Sequence, residues 1–160
     1  MGRRREGREA AVQFLFAHEI QAGADVVSDE AFWSLHSARK GARAYAEDLI
    51  KGVLEHLPEI DACIAGAVEN YSMTRLAGVD RNILRVAVYE LKHVTDAPPP
   101  VVINEAIEIA KKFGAGESSG FVNGILDRIA KGAKHRVKAP IEENDGNDKP
   151  LPSAALTSDL

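Results

Sequence analysis

Apolar residues recur along this chain at intervals of three and four, and the strict alternation of a β-strand is hard to find. Val12, Leu15, Phe16 and Ile20 give one apolar face to a first helix, predicted over about residues 4–22. The stretch "GADVVSDE" reads as a loop, with Ser28 or Asp29 as N-cap of a short segment carrying Phe32, Trp33 and Leu35. Tyr45, Leu49, Val53, Leu54 and Leu57 line a third helix that ends at Pro58. That proline suits the first turn of a fourth helix, where its missing N–H would have no partner in any case. Ile60, Ile64, Ala67, Val68 and Tyr71 then continue the helical stripe.

The next segment, "GVDRNILRVAVYELKHV", has Asp80 as its candidate N-cap. Ile83, Leu84, Val86, Ala87, Val88 and Leu91 wrap most of its circumference, the pattern of a central, buried helix. "DAPPP" stops it, because prolines lack a donor and push the preceding residue out of the α region. Ile103, Ala106, Ile107, Ala110 and Phe113 form another stripe. Gly114, after Lys111 and Lys112, suits a left-handed C-cap. Ser118 or Ser119 can cap a last helix carrying Phe121, Val122, Ile125, Leu126 and Ile129. From Lys138 onward the period is lost among prolines, acids, Gly and Asn, and disorder is expected. The prediction is an all-α protein of about seven helices over residues 1–137, followed by a disordered acidic tail at 138–160.

Length and composition fit one domain with an ordinary globular core: 160 residues, 45% hydrophobic and 28% charged. No apolar run approaches the ~18 residues needed to cross a bilayer. The basic N-terminus lacks the apolar stretch and small-residue cleavage site of a secretory signal, so the expected compartment is the cytoplasm. A single cysteine, Cys63, excludes an internal disulfide and a multi-cysteine metal site.

Charge changes the picture more than its total of −4 suggests. Arg3, Arg4, Arg5 and Arg8 stand against Glu6 alone at the N-terminus, whereas the last 23 residues are acidic. A basic arm on an acidic body points to a polyanion partner, and a merely solvated arm is the alternative. The arm also poses a physical question. The helix dipole disfavours each exposed cation at a helix N-terminus by roughly 0.3–1 kcal/mol, so something must offset four arginines.

Catalytic constellations are thin. The five histidines, at 18, 36, 56, 93 and 135, form no HExxH and no pair at i,i+4 spacing. Cys63 fits a half-buried thiol better than a nucleophile. Glu105 and Glu108 lie one helical turn apart, with no Glu-x-x-His to complete a carboxylate metal site; one solvated and one structural carboxylate is the simpler reading. "GAGESSG" follows a helix rather than a strand, so it is a poor phosphate loop. No catalytic residue, metal site or cofactor site is expected. Free N–H groups at a helix starting near Ser118, beside Phe121, would suit single-stranded RNA, with bases stacked and phosphates neutralised. A plain core role for Phe121 is the alternative.

Three blocks, "GRRREGREAAVQFLFAHE", "GVDRNILRVAVYELKH" and "PVVINEAIEIAKKFGAGESSGFVNGILDRIAK", in that order, resemble the NusB family of transcription antitermination factors. The resemblance runs from about Arg3 to Ala133. It implies two small helical bundles packed together and no catalysis. It implies binding of the boxA element, a short single-stranded sequence in ribosomal RNA transcripts, jointly with NusE, a small-subunit ribosomal protein. That pair acts within an antitermination complex on RNA polymerase and supports processive rRNA transcription. The resemblance places Arg3, Arg4, Arg5 and Arg8 at the RNA-contacting helix end, with Gln13 and Phe16 further along it. Ser118, Ser119 and Phe121 fall on the same RNA-facing side. On this view RNA phosphates offset the arginines, and three or four phosphate contacts give a log–log salt slope of roughly −2 to −3.

One departure from the family matters. Members commonly carry Lys or Arg just before the "FVNG" phenylalanine, where this chain has Gly120, which removes a phosphate contact and costs the helix ~1 kcal/mol against Ala. Two other readings stand beside the antitermination factor. NusB-like domains also occur fused to RNA cytosine methyltransferases, but no room for such an enzyme follows residue 138. A protein-interaction module, such as a homodimer that masks the arm, is the other. The acidic tail either folds back on the arm or is simply solvated.

Overall fold

The computed structural model describes the backbone at residues 2–20, 29–36, 38–68 and 76–142, with side chains up to residue 132, Asp29 excepted. Among the described residues there are seven helices and no strand: α1 (Arg3–Ile20), α2 (Asp29–Leu35), α3 (Lys40–Glu55), α4 (Leu57–Ala67), α5 (Gly78–His93), α6 (Pro99–Phe113) and α7 (Ser118–Glu142). Helices α1–α3 form one bundle and α4–α7 a second. α5 joins them, packing on α1, α3, α4, α6 and α7. Its predicted all-round apolar surface is used in full: Ile83, Leu84, Val86, Ala87 and Val88 are buried, and Leu91 is half-buried against the core. Each fully buried Leu, Ile or Val contributes roughly 1.5–3 kcal/mol.

α1 packs most extensively on α3, and small residues make the approach possible. Ala11, Ala42 and Ala46 are completely buried. A Cβ at Gly7 would sit 2.9 Å from the Ala42 carbonyl oxygen and 3.2 Å from Tyr45 Cβ, so only glycine permits this approach. α2 closes the first bundle through an aromatic stack, with Phe32 edge-on to Phe14 at 5.1 Å and to Trp33 at 5.0 Å.

Prolines start two of the helices. Pro58 lies in the first turn of α4, as its position suggests, and α6 begins inside the "PPP" run, at Pro99. Side-chain caps are missing from the starts of α3, α4, α5 and α6.

Several local expectations are corrected. The N-cap of α5 is Ala77, and Asp80 sits inside the first turn, where an acid favours the dipole. Gly114 is not left-handed: its φ of −93° and ψ of −178° are extended. On α1 the buried face includes Phe14 rather than Ile20, which is 66% exposed, and Phe16 is half-buried. α1 is covered by α3 and α5 on adjoining sides, so its apolar arc turns away from the stripe that ends at Ile20. α4 stops at Ala67, and Ser28 and Tyr71 lie outside the described residues. α7 continues to Glu142, past the point where periodicity fades; the stretch from 143 on also lies outside them.

Candidate nucleic-acid interface

The arginine-rich start of α1 projects toward the α5–α6 turn and the first turns of α6. Arg4 donates to Asp96 at 2.8 Å. Arg5 makes a two-pronged bond to Glu105, at 2.8 and 2.6 Å. Arg8 does the same with Glu90, at 2.7 and 2.8 Å, and lies 3.8 Å from Glu105. Tyr45 of α3 anchors the cluster: its hydroxyl donates to Glu90 at 2.6 Å, and its ring underlies the Arg4 and Arg8 guanidiniums at 5.0 and 5.7 Å.

Burial grades the three pairs. The Arg8–Glu90 side chains are 5% and 1% exposed, Arg5–Glu105 33% and 12%, and Arg4–Asp96 46% and 71%. Each guanidinium is held above its ordinary value. Glu105 raises Arg5, and Asp96 raises Arg4, while for Arg8 burial opposes the charge and Glu90 outweighs it. Asp96 is held below the usual carboxylate range by Arg4, and Glu105 by Arg5. Burial, then the bond to Glu90, pushes Tyr45 up to about 12.

The opening question therefore has an internal answer. Three carboxylates brought from α5, α6 and the turn between them already offset the arginines. Glu6, in the first turn of α1, is itself paired with Arg39 at 2.9 Å. The expectation that RNA phosphate is needed for the offset is corrected accordingly. Arg3 is exposed, lies along Gly41 and joins no ion pair among the described residues.

A second seam runs along the same side. Lys112, near the end of α6, reaches Glu9 of α1 at 3.0 Å. With Arg4–Asp96 and Arg5–Glu105, this ties the first half of α1 to α6 from the turn before it to Lys112 near its end.

Individual side chains there differ in what they can offer. Gln13 is half-buried, and Ser119 is half-exposed at the start of α7. Ser118 is 2% exposed; its hydroxyl accepts the Ala115 N–H at 2.9 Å, closing the turn rather than capping the helix forward. Phe121 is half-buried against the core, and Phe16 packs over Gly78 at the start of α5. Arg8 and Ser118 are buried and therefore support this surface. Arg3, Arg4, Arg5, Gln13, Ser119 and one side of Phe121 remain reachable from solvent. Gly120 is exposed, and a Cβ there would meet nothing within 4 Å.

Sequence reasoning missed Asp96, Glu90 and Tyr45, and saw Glu105 only as one of a pair. Glu105 is the structural carboxylate and Glu108 the solvated one, 3.5 Å from Lys111. A signal for Glu90 did exist, because it interrupts an otherwise apolar face in "VAVYEL". The histidines also converge: His56, Glu59 and His93 offer ligand atoms within 4.8 Å of one another, on the corner between α3 and α4 and the end of α5. Among the described residues no helix is long and apolar enough to cross a membrane.

Fold and site together define an all-helical binding module organised around a self-paired arginine cluster. The profile of the NusB family matches residues 5–131. The transcription antitermination protein NusB of Geobacter sulfurreducens is 49% identical over 135 residues, which cover 81% of this chain and 95% of that protein. Among solved structures, T. maritima NusB superposes with a TM-score of 0.72 at 44% identity, covering 82% of this chain and 92% of its own. A NusB crystallised with NusE and dsRNA superposes with a TM-score of 0.71 at 28% identity, covering 81% and 97%. The chain belongs to the NusB family.

Proposed function

We propose that this chain is a non-enzymatic, cytoplasmic antitermination factor. It binds the single-stranded boxA element of ribosomal RNA transcripts together with NusE, within an antitermination complex on RNA polymerase. Residues 1–137 form the RNA-binding unit. The observation that carries the reading is the solvent-reachable arginine cluster at the start of α1, Arg3, Arg4 and Arg5, in a family whose relatives are named for antitermination. The relative crystallised with NusE and dsRNA supports the choice of partners.

In this mechanism Arg3 and Arg4 capture phosphate first, being the most exposed. Arg5 follows by exchanging Glu105 for phosphate, a trade of one planar two-pronged acceptor for another. Arg8 holds the start of α1 in place through Glu90, and bases lie against Phe121 and Gln13. NusE supplies the remainder of the specificity.

The test is a salt titration of fluorescent boxA RNA with and without NusE, on wild type and on an Arg3→Ala/Arg4→Ala variant. Those two positions are exposed, so the fold is expected to stay intact. Binding that NusE strengthens and the variant loses supports the reading. Affinity that is indifferent to boxA, to NusE and to the variant would sink it. Sedimentation at several concentrations, with and without RNA, separates this from a homodimer that masks the arm.

A further inference from the structure

We propose that His56, Glu59 and His93 form a binding site for a zinc-type transition-metal dication. The three residues come from separate places in the sequence. His56 is the single residue between α3 and α4, Glu59 lies in the first turn of α4, and His93 is the last residue of α5. The fold brings the two imidazoles to 4.2 Å between ring centroids and places His93 Nε2 3.6 Å from Glu59 Oε1. One ligand atom from each residue lies within 4.8 Å of the other two. Ligands at 2.0–2.1 Å on a tetrahedral metal are about 3.4 Å apart, so closure requires side-chain movements of about an ångström.

The surroundings resemble a prepared ligand set more than a chance surface cluster. The Gly52 carbonyl lies 2.9 Å from His56 Nδ1, and a carbonyl can only accept. In the neutral imidazole the proton is therefore on Nδ1 and the lone pair on Nε2, the tautomer and orientation that an outer-shell carbonyl fixes in metal-binding histidines. Tyr89 supports both rings, with centroids 5.2 Å from His93 and 5.9 Å from His56. Gly52 makes room for it, since a Cβ there would collide with the Tyr89 ring.

Two imidazoles and one carboxylate suit Zn²⁺, Co²⁺, Ni²⁺ or Cu²⁺, whereas Mg²⁺ and Ca²⁺ require oxygen shells. His93 is exposed and the other two are partly so, which gives the ion an entrance and leaves solvent to complete its coordination. The role assigned to the ion is that of a clamp. A bound ion ties the α3–α4 corner to the end of α5, immediately before the turn that carries Asp96.

Zinc titration of the full, tag-free chain against a chromophoric chelator tests this, with Co²⁺ absorption reporting geometry and thermal unfolding reporting the clamp. The expected result is one zinc per chain, Co²⁺ bands of low-coordinate nitrogen–oxygen type, and no sulfur charge-transfer band. At a hundredfold excess of zinc over its Kd, the melting temperature should rise by about 5–10 °C. His93→Ala and Glu59→Gln alter partly exposed positions and should leave the metal-free melting temperature nearly unchanged. Each should weaken zinc by more than the roughly 10–100-fold that an outer-shell change costs. Failure of the wild type to bind one zinc, or binding that survives both variants, overturns the site. Loss of binding in Cys63→Ser instead would assign the metal to the thiol and overturn it equally.

Discussion

Replacing Glu90 with alanine should be the most damaging single change at the arginine cluster. Glu90 is 1% exposed and accepts three hydrogen bonds, two from Arg8 and one from Tyr45. Its removal strands a guanidinium that is itself only 5% exposed. Deleting one partner of a buried ion pair costs about 3–5 kcal/mol. Glu105, 3.8 Å from Arg8, can take over part of the charge, which places the expected loss near 3 kcal/mol. With a urea m-value of about 1.5 kcal/mol/M, that is a midpoint shift of about 2 M, readable by helical circular dichroism. Replacing both partners with apolar residues (Arg8→Met with Glu90→Leu, plus Tyr45→Phe to remove the orphaned hydroxyl) should recover most of the loss, because desolvation of the pair is no longer required. Under the proposed function the recovered variant should also keep boxA affinity, since Arg8 is buried against Glu90. A loss below about 1 kcal/mol in Glu90→Ala would refute the buried pair. Recovered stability with lost RNA binding would refute the supporting role.

Alkali should weaken the same cluster through Tyr45. Its folded value, about 12, lies above the ordinary 10, so its contribution is whole below pH 10 and fades as pH rises toward 12. The loss should reach about 2 kcal/mol and be absent in Tyr45→Phe, measured by urea midpoints across that range. Glu105→Gln frees Arg5 from its carboxylate. RNA affinity at low salt should rise, and the salt slope should steepen by up to about 0.7, relative to a wild-type slope shallower than −2; an unchanged slope would mean that Arg5 does not reach phosphate. Gly120→Lys should tighten boxA RNA and leave the unfolding free energy within about 0.5 kcal/mol of wild type, because the position is open and the ~0.7–1 kcal/mol gained over glycine is offset by the roughly 0.3–1 kcal/mol that the dipole costs a cation in the first turn. Unchanged RNA affinity in that variant would remove phosphate from the start of α7.

How much of this was legible in the sequence depends on the range of the interaction. α5 was readable as the central helix because its apolar residues surround it, a property of the segment alone. Pro58 marked a first turn for the same local reason. Asp80 was misplaced by three residues because several helices here start on prolines or uncapped backbone, so the usual cap signal is weak. On α1, periodicity gave the element but not its face, since the buried arc is set by two neighbouring helices that periodicity does not see. The arginine cluster shows the limit most clearly. Its charge was obvious, but the partners at 90, 96 and 105 lie 82 to 100 residues away. The histidines at 56 and 93 form no local motif for the same reason: 37 residues of chain separate rings that the fold sets in contact.

Self-pairing of the arginines bears directly on how such a surface discriminates. An unpaired cluster of four cations would attract any polyanion, with an energy that depends on charge and hardly on sequence. Here each of Arg4, Arg5 and Arg8 already holds a carboxylate, and the strength of that hold grows with burial from Asp96 to Glu105 to Glu90. Under the proposed function, phosphate binding is an exchange in which the gain at Arg4 is nearly whole, the gain at Arg5 is reduced by the bond it gives up, and Arg8 does not exchange. The phosphates of any strand therefore contribute only a small net gain. Stacking on Phe121 would add ~1–3 kcal/mol for a base of any identity, so discrimination falls to hydrogen bonds between base edges and side chains such as Gln13. Lowering the electrostatic share in this way raises the fraction of binding energy that depends on base contacts. Arginines paired in the free protein therefore serve sequence preference better than free ones would, at some cost in absolute affinity that a second RNA-binding partner can restore.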